Sequence, residues 1–149
     1  MDPIDVSLLR LLQENGRVTI SELSKQLSLS RPSITERLLR LQERGVIEGF
    51  TARVSPAAVG RDTLLIIQIS DLKVPVSEFE KIIAEDSDII ECHRVTGHIS
   101  YFIKAAVQGI DGLRLLVDRL IPYGNVHTSV VLTSPVTFRS ILPKSETQA

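Results

Sequence analysis

Residues 19–45, TISELSKQLSLSRPSITERLLRLQERG, decide how this chain reads. Thr19 and Glu22 stand at capping-box spacing, so the Thr19 hydroxyl can accept from the Glu22 amide while Glu22 reaches back. Ile20, Leu23 and Leu27 then recur at helical spacing and give one apolar face. Ser28 breaks that pattern and Ser30 supplies a second N-cap. Pro32 fits a first helical turn, where its missing N–H had no partner to lose. Ile34, Leu38 and Leu41 face inward, and Gly45 ends the helix. Arg31, Ser33, Thr35, Glu36 and Arg40 are left facing largely outward, with Arg37 beside them. A short buried helix that props up an exposed, polar, arginine-bearing one is the layout of a helix-turn-helix that reads DNA.

Charge supports this locally rather than globally. The chain of 149 residues has a formal net charge of −1, which by itself argues against a polyanionic partner. Residues 1–61, however, hold nine Lys/Arg against seven Asp/Glu, and residues 62–149 hold eight against eleven. Within 31–61 there are six arginines and three acids. A phosphate-contacting surface needs cations in one place, not a basic protein. The surplus is small, so several copies acting together are expected. No apolar run approaches the roughly 20 residues of a membrane span, and the N-terminus lacks a basic stretch followed by an apolar one. A single cysteine, Cys92, excludes an intramolecular disulfide and a multi-cysteine metal site. A cytoplasmic, nucleoid-associated protein is expected.

Upstream, Ile4, Leu8, Leu9, Leu11 and Leu12 mark a helix over 4–14 that Gly16 stops. Residues 46–54, VIEGFTARV, alternate and predict an extended strand leaving the helical unit, with Pro56 and Gly60 as punctuation. The rest reads as strand 63–70, helix 76–85 with Ser77 and Glu80 at capping-box spacing, strands 89–96 and 99–107, helix 110–121, and strand 126–138. That βαββαβ order predicts a four-stranded antiparallel sheet with two helices on one face, the ferredoxin-like arrangement. Apolar residues on both parities (Leu64 to Ile67, Val130 and Val131) call for a cover on the other face, and a second copy would supply it. The expected class is therefore α+β: a winged-type helix-turn-helix domain over 1–46, a linker strand and hinge over 47–61, a ferredoxin-like domain of RAM/ACT-like type over 62–139, and a solvated tail over 140–149.

At these lengths the chain resembles the Lrp/AsnC (feast/famine) family of transcription regulators over roughly residues 4–138. The resemblance rests on Asp5 with Leu8, Leu9 and Leu12; on Gly16-Arg17 and Glu22-Leu23; on Leu29-Ser30 with Ser33, Ile34 and Arg37-Leu38; and on Leu41-Gln42-Glu43 with Gly45-Val46-Ile47. Phe50, Ala52, Gly60 and the Val95-Thr96-Gly97 turn before Tyr101 complete it. It implies a homodimer built through the C-terminal domains, assembly towards octamers, and amino-acid effectors bound where dimers meet. The candidate effector residues are Thr96, Gly97, His98, Ser100, Tyr101, Thr133 and Ser134, the alternative being that Gly97 only allows a tight turn. One position departs from the pattern. Members that answer to amino acids often carry an aspartate where this chain has Ser100, and a hydroxyl is a poor substitute for a carboxylate opposite an ammonium group.

On the reading helix, Arg31, Ser33 and Thr35 lie near the start and are best placed to reach base edges, Arg31 on guanine O6 and N7. Arg40 suits a phosphate. Arg37 fits either DNA or a pair with Glu36 or an acid of the first helix. Arg17 and Arg53 could touch the DNA backbone, but a surface ion pair is the preferred reading. Cys92 and His93 are neighbours on a strand and point to opposite faces, so with His98 and His127 they do not make a metal site. No cofactor is called for, and no phosphate loop, HExxH or GxSxG occurs. Two other readings stay in view: an architectural protein that compacts DNA without an effector, and an enzyme similar to siroheme decarboxylases, whose architecture resembles this family.

Overall fold

The structure, a computed structural model, describes residues 1–144; positions 145–149 of the expected tail lie outside the described residues. The chain forms two compact units, Met1–Ala52 together with the segment from Val136 onward, and Arg53–Pro135.

The first unit holds α1 (Pro3–Glu14), α2 (Ile20–Leu27) and α3 (Arg31–Glu43). Each helix start is capped as its sequence dictates. The Asp2 carboxylate accepts from the Asp5 amide at 2.8 Å. Thr19 and Glu22 form the full reciprocal box, and the Ser30 hydroxyl accepts from the Ser33 amide with Pro32 in the first turn. Ser28 turns the chain between α2 and α3 in the left-handed region, φ 54°. After α3, Gly45 takes φ +67°, and the amides of Val46 and Ile47 both donate to the Leu41 carbonyl, so the helix end is satisfied. Leu8, Leu9, Leu23, Ile34 and Leu41 are the core where the three helices meet.

Two expectations are corrected here. Residues 46–54 form no strand, because alternation only sets an extended backbone, and a strand also needs a neighbour to bond to. Residues 136–144 pack with the helical unit rather than with the sheet, so 140–144 do not run free as a tail. The Gln13 amide donates to the Ile141 carbonyl at 2.8 Å, and the Ile141 amide donates back to Gln13 Oε1 at 2.9 Å. Leu142 packs against the helical core. Leu142 thus finds a docking place that its polar neighbours hid in the sequence, while Ile141 is held by its backbone and leaves its side chain exposed.

The second unit holds β1 (Thr63–Ser70), α4 (Val76–Glu85), β2 (Ile89–Arg94), β3 (Tyr101–Val107), α5 (Gly109–Leu120) and β4 (Asn125–Val130). The strands pair antiparallel in the order β2-β3-β1-β4, the ferredoxin-like topology. β1 alternates as its period requires: Leu65, Ile67 and Ile69 are buried against Phe79 and Ile83 of α4 and Leu116 and Leu120 of α5. On the opposite parity Leu64 and Ile66 are half-buried, and Phe102 is exposed beside the Lys104–Glu91 ion pair and His93. That face is mixed rather than wholly apolar.

The strand ends are shorter than expected. β4 stops at Val130 instead of 138, because it pairs back along β1 and reaches Leu65, close to where β1 begins at Thr63. β2 stops at Arg94 and β3 starts at Tyr101, so the turn between them spans 95–100. Ser77 and Glu80 form no capping box: α4 starts at Val76, which puts Ser77 inside the helix, and Glu80 bonds to Tyr101 instead.

Gly124 packs close to β1. A Cβ there would stand 2.8 Å from the Ser70 carbonyl oxygen and 3.0 Å from Ile69 Cγ2, whereas a Cβ at Gly49 would meet nothing within 4 Å. Gly124→Ala is expected to lower the unfolding free energy by about 1–3 kcal/mol, and Gly49→Ala by less than about 0.5 kcal/mol. Urea denaturation of the two variants beside the parent chain checks this.

Candidate nucleic-acid interface and effector turn

α3 offers two kinds of arginine. The guanidinium of Arg31, at the helix start, has no hydrogen-bond or ion-pair partner among the described residues, and its side chain is exposed. Thr35 and Glu36 are exposed and Ser33 is half-buried. The Thr35 hydroxyl donates to the Arg31 carbonyl at 3.0 Å, the usual back-bond of a helical threonine, which leaves its lone pairs and methyl outward.

Arg37 is different. Its Nη1 donates to Asp2 Oδ2 at 2.6 Å and to Asp5 Oδ1 at 2.7 Å, and its side chain is only 19% exposed. The structure thus takes one of the alternatives left open, a pair with first-helix acids. Arg40 reaches the same Asp5 carboxylate at 3.4 Å but keeps 44% of its side chain in solvent. Asp5 is the one buried charged residue among the described residues. Sequence reasoning missed its role, although a signal was present. Asp5 sits three and four residues before Leu8 and Leu9, so it falls on the apolar face of α1, where a carboxylate needs a cation.

The effector candidates divide. Thr96, Gly97 (φ +108°) and His98 form the exposed β2–β3 turn. Ser100 closes it: its amide donates to the Ile69 carbonyl at 2.8 Å and its carbonyl accepts from the Val95 amide at 3.0 Å. Tyr101 turns away into the core beneath α4. Its ring lies 4.8 Å from that of Phe79, and its hydroxyl donates to Glu80 Oε1 at 2.8 Å. Burial, and then the Glu80 carboxylate, push the phenol up to about 12, so it stays protonated in the cell's pH range.

Thr133 and Ser134 are exposed beyond the end of β4. The Val131 amide bonds to Leu64, whereas the turn is tied to Ile69, so the two groups flank opposite ends of β1. At the rise of an extended chain that separates them by roughly 16 Å. One chain does not bring the seven expected residues into one site.

Cys92 lies opposite Ile103 on the helix-bearing side and His93 opposite Phe102 on the other, and the described residues contain no cluster of three metal-ligating side chains. No helix among them is long and apolar enough to cross a membrane.

Comparison with known proteins accords with both halves. Residues 1–48 match a family model described as winged helix-turn-helix DNA-binding. Residues 64–141 match one described as Lrp/AsnC ligand binding domain. The HTH-type transcriptional regulator LrpA of Mycobacterium tuberculosis is 32% identical, over 96% of this chain and 97% of that protein. Its crystal structure superposes with a TM-score of 0.80, covering 96% of this chain and 100% of that one at 31% identity. An uncharacterised HTH-type regulator of Bacillus subtilis, YezC, is 34% identical over 90% of this chain and 95% of its own length. A transcriptional regulator of Neisseria meningitidis, solved as an L-methionine complex, superposes with a TM-score of 0.86 at 26% identity, covering 95% of this chain and 96% of that one.

The Asp5 cluster generates a stability prediction. Asp5→Ala leaves Arg37 with Asp2 as its remaining partner and is expected to cost about 1–3 kcal/mol. Asp118→Ala, which removes an exposed pair with Arg114 on α5, is expected to cost less than about 0.5 kcal/mol. The Arg37 hydrogen bond, and then the Asp5 amide, hold the Asp2 carboxyl below its ordinary value. Its stabilising contribution is therefore complete above the unfolded value near ~3.9 and is lost as pH falls through the lower folded value. Asp2→Asn should flatten that part of the acid limb, as urea midpoints measured from pH 2 to 6 would show.

Proposed function

The chain belongs to the Lrp/AsnC family of transcriptional regulators, and on that premise we propose that the N-terminal half of α3 is its DNA-reading surface. It is a DNA-binding regulator and not an enzyme; the family consists of regulators. The observation that carries the residue assignment is the contrast along α3. Arg37 is taken up by Asp2 and Asp5, while Arg31 stands at the helix start with its guanidinium unclaimed. Arg31, Ser33 and Thr35 face base edges in this reading, Glu36 flanks them, and Arg40 meets phosphate from its exposed side. Arg37 fixes the helix rather than touching DNA.

Self-association belongs to the same reading. Each dimer presents two α3 helices, which double the small local surplus of positive charge, and further assembly to an octamer would wrap or bend DNA. Half-buried Leu64 and Ile66 and the 96% exposed Leu132 of the sheet unit support a partner copy there. The ligand-binding domain fits modulation by an amino acid, and L-methionine occupies one solved relative. With the effector site at the junction of copies, the turn residues Thr96, Gly97, His98 and Ser100 would face Thr133 and Ser134 of a neighbouring chain. A cytoplasmic, nucleoid-associated regulator follows from this reading. The polar side chains at the start of α3 favour sequence preference over plain compaction.

Binding to the chain's own promoter and to random DNA, measured at fixed salt, tests the assignment. Arg31→Ala should weaken promoter binding by about tenfold or more while changing random binding little. Arg40→Ala should weaken both alike and lower the salt slope by about one phosphate contact per site. Equal losses on both DNAs for Arg31→Ala would overturn its role as a base reader.

A further inference from the structure

The arginines of α3 stand out in the sequence, but the ridge of the helix that points furthest from the core is not basic. Ile34 and Leu41 are its buried positions. At about 100° per residue, Pro32, Glu36, Leu39 and Glu43 fall roughly 140–180° away from them, and all four are exposed. Arg31 and Thr35 stand on one side of this ridge, Ser33 and Arg40 on the other. A helix lying in a major groove turns its outermost ridge to the base edges and its flanks to the phosphate walls. Glu43 closes the ridge at the end of α3 that is last into the groove, which leaves Glu36 and Leu39 at its centre.

Neither residue has work inside the fold. Glu36 makes no hydrogen bond or ion pair among the described residues, and Arg40, one turn on, is turned to Asp5 instead. Leu39 is 54% exposed and is not among the apolar side chains packed on the helical core, whereas its neighbour Leu38 is. Exposure alone is ordinary for either residue type; their place on the face that meets a polyanion is not. An acid there lowers affinity for every sequence except where a base offers it a donor. In the major groove the donors are the amines of cytosine and adenine, and adenine sets its N7 acceptor beside the amine, against a carboxylate. Cytosine is the base left. Leu39 has no polar atom and gains only from the apolar group of the groove, the thymine C5-methyl. The two residues are separated by about 4.5 Å along the helix, against a base step of about 3.4 Å.

We propose that Glu36 and Leu39 are a specificity-determining pair, Glu36 accepting from the N4 amine of a cytosine and Leu39 packing on the C5-methyl of a thymine at the neighbouring base pair. This rests on the reading of α3 as the DNA-facing helix, and it adds to Arg31 the bases that an arginine does not select. Glu36 works as much by exclusion as by contact, since it opposes guanine, thymine and phosphate oxygens alike.

Selection from a randomised duplex library by the full chain defines its preferred site. Affinities for that site, for its single-base variants and for random DNA, all at one salt concentration, then test the proposal. The site should hold a cytosine next to a thymine. Glu36→Ala should cut the preference for that cytosine about tenfold and tighten binding to random DNA. Replacing the thymine by uracil, which lacks only the methyl group, should weaken the parent chain about fourfold and leave Leu39→Ala unaffected. Both side chains are exposed, so both variants should fold, as circular dichroism would verify. A Glu36→Ala chain that binds every sequence more tightly with its base preference unchanged would overturn the cytosine contact. A parent chain indifferent to uracil would overturn the thymine contact. If Arg31→Ala weakens binding to the selected site in those cases, only the pair assignment falls; if Arg31→Ala changes nothing either, the reading of α3 falls with it.

Discussion

Asp5 is a carboxylate set among leucines, and most of the reading unit depends on how that is made tolerable. Its charge is buried, so it must be met, and Arg37 meets it from α3 at 2.7 Å while Asp2 holds the same guanidinium from the cap of α1. Apolar contacts among Leu8, Leu23, Ile34 and Leu41 would accept some rotation of one helix against another, because dispersion is not directional. A charge-assisted hydrogen bond is directional. The cluster therefore sets the rotation of α3 about its axis, and with it the side of the helix that Arg31, Ser33 and Thr35 occupy. A pair this buried is a weak source of net stability, but a strong penalty on arrangements that break it.

The sheet unit is organised around β1, which pairs with both β3 and β4 and carries the alternation that separates its two faces. Its entry is fixed by polar contacts rather than packing. Arg61 Nη1 donates to the carbonyls of Ser87 and Ala106, and the Asp62 carboxylate accepts from the Gly109 amide at the start of α5. The chain that arrives from the reading unit thus meets a tethered point at β1. β2 at the sheet edge is held on one side only, by β3.

How far the sequence predicted this can be judged residue by residue. Periodicity and capping chemistry are local, and Thr19, Ser30, Pro32 and Gly45 each do in the structure what their spacing implies. The order of strands and helices followed for the same reason. What stayed hidden was set by distant partners. Ser77 and Glu80 have the right spacing for a box, but Tyr101, far along the chain, takes the carboxylate. Residues 46–54 alternate, yet no strand lies beside them. Tyr101 falls in the expected strand 99–107 and also among the effector residues of the Gly97 turn, and only the fold shows its side chain buried beneath α4 and bonded to Glu80. Arg37 could not be assigned from spacing alone, because its partners are more than thirty residues away.

The return of the chain end to the helices bears on when the reading unit comes into being. Residues 1–52 leave the ribosome first, but the core they form is completed by Leu142, and Gln13 waits for both bonds from Ile141. Domains generally form in the order of synthesis. Here the sheet unit, contiguous from Arg53 to Pro135, can close before the helices have all their contacts. The part that faces DNA is the first to be made and the last to be finished, so a nascent or truncated chain carries a competent sheet before it carries a complete reader.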